Sequence, residues 1–165
     1  SPALPRSLVL LSAYAGWRGS LPEEEVAARL AGCLELASHP VPPSREDGLA
    51  FTGQHPPPEV LDELLAIAQR VRPAALADMG RAFAEADLRD LLPTVVAPTL
   101  VMVGLEDRRS LPSVGEAIAA AIPAAELTAV PGAGHVLHQE APAAVEQAMR
   151  AFLERVEGLT PPGSL

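Results

Sequence analysis

Two short apolar runs without polar alternation constrain the fold of this chain more than any other feature of its sequence. They are SLVLLS, residues 7–12, and TLVMVG, residues 99–104. A strand with one solvated face alternates between apolar and polar residues, whereas a strand covered on both faces is apolar throughout, as in parallel sheets. A weaker third candidate is ELTAVP, residues 126–131. The sequence therefore predicts an α/β fold built on a buried parallel sheet.

Two helices are predicted to flank this sheet. The first lies in LPSVGEAIAAAIP, where Pro112 suits a first helical turn and Pro123 follows the last one. Strand, helix and strand at this spacing form a right-handed crossover. The second spans residues 142–156 and should end at Gly158. Its apolar face, expected to lie against the sheet, consists of Val145, Ala148, Met149, Phe152, Leu153 and Val156.

The residues between the first two strands predict helices and loops but no strand. Apolar residues recur at helical spacing in residues 22–38, 57–71 and 73–88, and the last segment would turn Leu76, Met79 and Phe83 inward. HPVPPSRED, residues 39–47, predicts a loop. A helical excursion between two strands of a sheet indicates a cap. The predicted division is a sheet core at 6–13 and 94–157, a helical cap at 14–93, and a flexible tail at 158–165.

Charge and cysteine content exclude several functions. The net charge is −9 and arginines do not cluster, so a nucleic-acid partner is not expected, because phosphate binding needs a basic patch. The single cysteine, Cys33, excludes an internal disulfide and a thiolate metal site, as is typical of the cytoplasm. No apolar run approaches the roughly 18 residues of a membrane helix, so no membrane partner is expected.

A secretory signal is the alternative to a cytoplasmic location. PRSLVLLSAYAG, residues 5–16, combines an arginine, an apolar run and small residues, as short signal peptides do. Its apolar core, residues 8–11, is shorter than the seven to fifteen residues usual in signals. We therefore expect a cytoplasmic protein.

Polar residues follow two of the predicted strands, at the edge where parallel sheets bind ligands. Asp107 ends the segment GLED after the second strand, and His135 ends the turn PGAGH after the third. Asp107 would accept a hydrogen bond from Nδ1 of His135 and leave Nε2 free to act as a general base. A plain helix-capping role for Asp107 is the alternative, although Ser110 is better placed to cap, and Glu106 is a second candidate carboxylate.

Three further residues are candidates for substrate binding. Tyr14 and Trp17 follow the first strand and would line the cavity, although Trp17 can equally anchor the cap to the sheet. His138 is expected near the pocket mouth. His135 and His138 are three residues apart, but no third ligand occurs at a suitable spacing. Neither a metal nor a cofactor is therefore predicted.

The segments APTLVMVGLEDRRSL and IPAAELTAVPGAGHVLHQEAPAAVEQAMRAFL together resemble the carboxyl-terminal part of the α/β-hydrolase family. In that family one strand ends in G-x-x-D and the next in a Gly-rich turn that carries the catalytic histidine. RSLVLLSAYAGW resembles the strand before the cap. The resemblance implies hydrolysis of an ester, lactone or similar small acyl substrate, with Asp107 and His135 as acid and histidine of a Ser-His-Asp type triad.

The chain departs from the family pattern at the nucleophile. The family places it on a G-x-S-x-G turn ahead of the acid and the histidine, and no such motif occurs here. We expect a carboxyl-terminal half whose nucleophile and oxyanion segment lie outside the chain. Esterase, lactonase, dehalogenase, peroxidase and lyase chemistry all stay open. The expected partners are a small-molecule substrate and either the amino-terminal half or a second copy. The alternative is a non-catalytic module that pairs through an uncovered sheet edge.

Overall fold

Three parallel strands form the sheet in the computed structural model, which describes residues 5–158. They are β1 (Leu8–Leu11), β2 (Thr99–Gly104) and β3 (Ala125–Val130), in the spatial order β1-β2-β3. Leu8 lies opposite Thr99, and Thr99 lies opposite Ala125. The predicted parallel sheet is confirmed. The bounds of β1 and β3 each differ from the predicted ones by one residue at each end.

Strand β2 lacks polar alternation because helices cover both of its faces. All six of its residues are buried. Leu100 and Met102 pack in a cluster with helix α7 (Pro142–Glu157), whereas Val101 packs in a second cluster with helix α5 (Pro112–Ala121). A short helix, α6 (Leu137–Glu140), precedes α7. The sheet therefore forms the middle of three layers.

The predicted apolar face of α7 is confirmed. Val145 and Phe152 are buried in the first cluster, and the other four residues of the predicted face are partly buried against it. Gly158 caps the helix with φ 63°, in the left-handed region that favours glycine. Residues 159–165 of the predicted tail lie outside the described residues.

Four helices and a short 3₁₀ turn lie between β1 and β2. They are α1 (Glu23–Ser38), α2 (Arg45–Leu49), α3 (Pro58–Ala68), α4 (Pro73–Glu85) and the turn Leu92–Thr94. Helices α1 and α4 pack side by side, and α2 packs on α3. Within residues 5–158, no helix combines the length and the apolar character needed to cross a membrane.

The loop prediction for residues 39–47 is wrong at its end, because α2 begins there. Ser44 Oγ accepts a hydrogen bond from Asp47 N at 3.2 Å, and Asp47 Oδ2 accepts one from Ser44 N at 2.7 Å. This reciprocal capping satisfies two backbone donors at the start of the helix. The helix has five residues, too few to produce an apolar periodicity.

The inward face predicted for α4 is wrong at Met79 and Phe83, whereas Leu76 is partly buried. Met79 is 48% exposed and Phe83 is 46% exposed, whereas Ala77, Gly80 and Ala84 are buried. A Cβ on Gly80 would lie 2.7 Å from Cβ of Cys33 on α1. The two helices therefore approach through a row of small residues, and that close packing turns the larger side chains of α4 outward.

Candidate active site

The turns after β2 and β3 are pressed together at the carboxyl edge of the sheet. A Cβ on Gly104 would lie 2.3 Å from the carbonyl oxygen of Gly134 and 2.4 Å from that of Ala133, so only glycine fits at this position. Glu106 N donates to the carbonyl of Ala133 at 2.9 Å. This approach brings the carboxylate that follows β2 to the imidazole that follows β3.

Asp107 and His135 form a hydrogen-bonded pair. Asp107 Oδ2 lies 2.9 Å from His135 Nδ1, and the aspartate side chain is fully buried while that of histidine is 23% exposed. Asp107 Oδ1 accepts from the backbone N–H groups of Arg109 at 2.7 Å and Ser110 at 2.9 Å. These three partners fix the carboxylate in one orientation.

The electrostatics of the pair keep Asp107 ionised. Burial acts to raise the pKa of Asp107, but the hydrogen bond and charge of His135 and the two backbone N–H groups outweigh it and lower the pKa. An ionised carboxylate only accepts hydrogen bonds, so His135 Nδ1 carries the proton. In the neutral ring Nε2 holds the free lone pair, and Nε2 makes no hydrogen bond within residues 5–158. This is the arrangement of a general base.

The two alternative roles near Asp107 are not what the structure shows. Leu111 is the N-cap residue of α5, and no side chain caps that helix. The expected capping by Ser110 is wrong, because its hydroxyl instead donates to the carbonyl of Ala13 at 3.0 Å. Glu106 Oε2 accepts from Gln54 N at 2.5 Å and therefore holds a neighbouring loop.

Tyr14 lies beside the pair, with its ring centre 6.1 Å from that of His135. Its hydroxyl donates to the carbonyl of Arg109 and accepts from Arg29 Nη1 at 2.8 Å. Burial raises the pKa of Tyr14, so the phenol stays protonated. The Tyr14 hydroxyl both donates and accepts a hydrogen bond, and it therefore supports the turn after Asp107. The predicted contact of Tyr14 with substrate stays a prediction, and its aromatic ring is the part available for it.

Sequence reasoning missed Phe51 and Arg109, which complete the surroundings of His135. The Phe51 ring centre lies 5.9 Å from that of His135, and the Phe51 carbonyl accepts from His135 N at 2.9 Å. Cζ of Arg109 lies 4.5 Å from the centre of the same ring. Nothing local in the sequence indicates these contacts, since they join residues more than 50 positions apart.

Glu140 was missed as well, and it fixes the backbone around His135. Its Oε1 accepts from Gly53 N at 2.6 Å and its Oε2 accepts from Gly134 N at 2.8 Å. One carboxylate thus joins the loop that carries Phe51 to the turn that carries His135. A positioning role for Glu140 follows from these two bonds.

Trp17 and His138 lie in different surroundings. Trp17 is 6% exposed and packs on Phe83 of α4, with 5.5 Å between the ring centres. Cζ of Arg29 lies 5.8 Å from the centre of the Trp17 ring. His138 is exposed on α6. No hydrogen bond or ring contact joins either side chain to His135 within residues 5–158, and their substrate roles stay predictions. The same residues contain no group of three side chains able to hold a metal ion.

Comparison with known families identifies a match along most of the chain. The model described as "Alpha/beta hydrolase family" matches residues 2–148. A search of curated proteins finds no significant match. The family match covers both of the turns that carry Asp107 and His135.

Solved structures show the same fold. An esterase from Thermogutta terrifontis, solved with malate bound, has a TM-score of 0.77 and 28% identity over 92% of this chain and 56% of the esterase. A hydrolase from Pseudomonas aeruginosa PA01 has a TM-score of 0.71 and 30% identity over 90% of this chain and 55% of that chain. A bromoperoxidase from Bacillus anthracis, at 20% identity, matches in fold alone, with a TM-score of 0.72 over 90% of this chain and 58% of its own. This chain therefore spans little more than half the length of these structures.

Replacing Glu140 by glutamine tests its positioning role. One of the two backbone N–H groups, on Gly53 or Gly134, would then face an amide N–H instead of an oxygen, so we expect about 1–3 kcal/mol of lost stability. Urea unfolding measures the loss. The exposed Glu116→Gln on α5 is the matched control and should change stability by less than about 0.5 kcal/mol. Equal effects of the two substitutions would refute the role.

Proposed function

This chain belongs to the alpha/beta hydrolase family, and we propose that it supplies the acid and the general base of a Ser-His-Asp type triad. The proposed reaction is hydrolysis of an ester, lactone or similar small acyl substrate. The observation that carries this proposal is the Asp107–His135 hydrogen bond, in which the buried carboxylate orients the imidazole. The esterase among the similar structures supports the choice of substrate class.

The pair has a defined part in each step of such a reaction. His135 Nε2 takes the proton of the nucleophile's hydroxyl as that oxygen bonds to the acyl carbon. The imidazolium, stabilised by ionised Asp107, then returns the proton to the departing alcohol oxygen as its bond to the acyl carbon breaks. In the second half, Nε2 takes a proton from water, whose oxygen attacks the acyl-enzyme. The nucleophile leaves with that proton, and the carboxylic acid is released.

We propose that the nucleophile and the oxyanion donors lie outside these 165 residues. No G-x-S-x-G motif occurs in the sequence, and in this family the nucleophile precedes the acid and the histidine along the chain. The chain also spans only 55–58% of the similar structures. Oxyanion stabilisation is usually the largest catalytic term, so the chain alone should hydrolyse esters poorly.

A strand-pairing module is the second candidate function, favoured by the outer edge of β1. No strand pairs with that edge among residues 5–158, and its four residues are only half-buried. Leu8 N and Ser12 N both donate toward β2, so the alternation of a strand turns the N–H groups of Val9 and Leu11 to the free edge. The proposed occupant is a strand, either a parallel one from the nucleophile segment or the antiparallel β1 of a second copy related by a two-fold axis.

The compartment and the domain limits belong to the same proposal. We propose a cytoplasmic location, which the presence of one unpaired cysteine supports.

We propose residues 14–93 as the cap over the site. Arg29 of α1 and Phe51, both in this segment, reach the immediate surroundings of Asp107 and His135, which supports a cap that encloses the substrate.

Asp107→Asn tests the hydrolase proposal. Hydrolysis of 4-nitrophenyl acetate is measured for the chain alone and for the chain joined to the segment encoded ahead of Ser1. We expect activity only in the second case, and Asp107→Asn should lower kcat by about 10⁴, because an amide N–H aimed at Nδ1 forces the imidazole proton onto Nε2.

Glu106→Gln is the matched control, since it neutralises the adjacent carboxylate and keeps an oxygen for Gln54 N. We expect this variant to retain most of the activity. Equal losses in the two variants, or no gain on adding the upstream segment, would be incompatible with the proposal.

The strand-pairing candidate predicts association through β1. Sedimentation velocity of the chain at micromolar concentration should show a dimer, and Val9→Pro should abolish it, because proline removes an outward N–H and leaves the bonds to β2 in place. A chain that stays monomeric at every concentration counts against this function.

A further inference from the structure

Among the described residues, Arg109 is the one arginine that is partly withdrawn from water and still lacks a hydrogen-bond or ion-pair partner for its guanidinium. Among the described residues, its side chain makes no hydrogen bond or ion pair, although the residue is only half-exposed. The other arginines without a side-chain partner are exposed to water: Arg6, Arg18, Arg70 and Arg72. A partly buried cation without a counter-charge is costly, and proteins normally pair it.

The groups around Arg109 do not supply that counter-charge. The two oxygens of Asp107 are taken by His135 and by backbone N–H groups. Tyr14 is protonated, and its hydroxyl bonds to the Arg109 carbonyl. Arg29 is a second cation, paired with Glu25 at 2.8 Å. Burial and the charge of Arg29 both lower the pKa of Arg109, as expected for a guanidinium in surroundings that disfavour its charge.

Arg109 lies next to the reacting group of the site. The Phe51 ring contacts both side chains: its centre is 4.5 Å from Cζ of Arg109 and 5.9 Å from the ring centre of His135. A ligand group bound to the guanidinium would therefore lie within the length of a small molecule from the imidazole. The backbone of Arg109 is held by Asp107 and Tyr14, which fixes where its side chain begins.

We propose that Arg109 is an anion subsite that binds a carboxylate of the substrate, so that the acyl compound handled by this site carries a free carboxylate besides its scissile bond. This inference rests on the proposed function for its reference to a substrate. A guanidinium offers a planar pair of N–H donors that matches the two oxygens of a carboxylate. Cζ of Arg109 lies over the Phe51 ring, whereas a carboxylate binds the guanidinium through the N–H groups at its edge.

A contact with Phe51 that merely stabilises the loop is the competing role for Arg109. A cation over an aromatic ring contributes stability without any ligand. The two roles differ in their response to small anions. An anion subsite binds carboxylates more tightly than neutral molecules of the same shape, whereas a purely structural arginine does not discriminate between them.

Binding of butyrate, compared with its neutral isostere butyramide, tests the subsite at constant ionic strength. The readouts are the NMR signals of the Arg109 Nε–H and of the His135 ring in the 165-residue chain. We expect butyrate to bind at least about tenfold more tightly than butyramide, and Arg109→Gln to weaken butyrate binding by about tenfold or more. Arg70→Gln, which removes an exposed arginine that has no side-chain partner among the described residues, should leave butyrate binding unaltered.

Three results would overturn the subsite: equal affinity for butyrate and butyramide, unchanged butyrate affinity in Arg109→Gln, or tighter binding of inorganic phosphate than of butyrate. If Arg109→Gln does not fold, Arg109→Lys keeps the charge but loses the paired donors, and it should bind butyrate more weakly than the wild type. The shift of the wild-type Arg109 Nε–H then still reports directly on contact.

This experiment separates the subsite from the hydrolase proposal, because butyrate binding needs no nucleophile. If the chain joined to its upstream segment binds butyrate but does not hydrolyse esters, the proposed hydrolase function is refuted and the anion site stands. Hydrolysis of 4-nitrophenyl acetate without butyrate binding would remove the subsite alone. In an active protein, Arg109→Gln should raise KM for 4-nitrophenyl hydrogen adipate by about tenfold and have little effect on KM for 4-nitrophenyl hexanoate.

Discussion

The close approach of two turns at the carboxyl edge of the sheet determines almost everything else at this site. The turn after β2 and the turn after β3 meet where Gly104 faces the carbonyl oxygens of Ala133 and Gly134, closer than any side chain would allow. Parallel strands bring their carboxyl ends to one edge, and the missing Cβ removes the last obstacle. The 2.9 Å bond between Asp107 and His135 is the consequence.

Two further carboxylates, besides Asp107, hold this edge of the sheet together. Glu140 joins the loop of Phe51 to the turn of His135, and Glu106 accepts from the backbone of Gln54. Both use ionised oxygens to satisfy backbone N–H groups, which gives stronger bonds than neutral acceptors would. The chain has a net charge of −9, and Glu106 and Glu140 have structural roles at this edge. Arg109, half-buried beside His135, differs from them because no hydrogen bond or ion pair engages its guanidinium among the described residues.

The sheet, the helices on its two faces and the contact between Asp107 and His135 could be predicted from the sequence, because each has a local signature. TLVMVG lacks polar alternation, the face of α7 repeats at helical spacing, and the two polar turns directly follow strands. The contacts that complete the site have no such signature. Phe51 with His135 and Glu140 with Gly53 join residues more than 80 positions apart, so only the folded chain brings them together. The buried face of helix α4 was predicted wrongly for a different reason. Its small residues form the face that packs on α1, and its larger apolar residues do not.

The tautomer of the neutral His135 ring tests the catalytic arrangement most directly. Nitrogen-15 NMR of histidine-labelled protein distinguishes a protonated ring nitrogen from one with a free lone pair. An ionised Asp107 at 2.9 Å requires the proton on Nδ1, so Nδ1 should give the signal of a protonated nitrogen and Nε2 that of a free one. Asp107→Asn should reverse the two signals. A wild-type ring with its proton on Nε2 would contradict the assignment of Asp107 and His135 as an oriented acid–base pair.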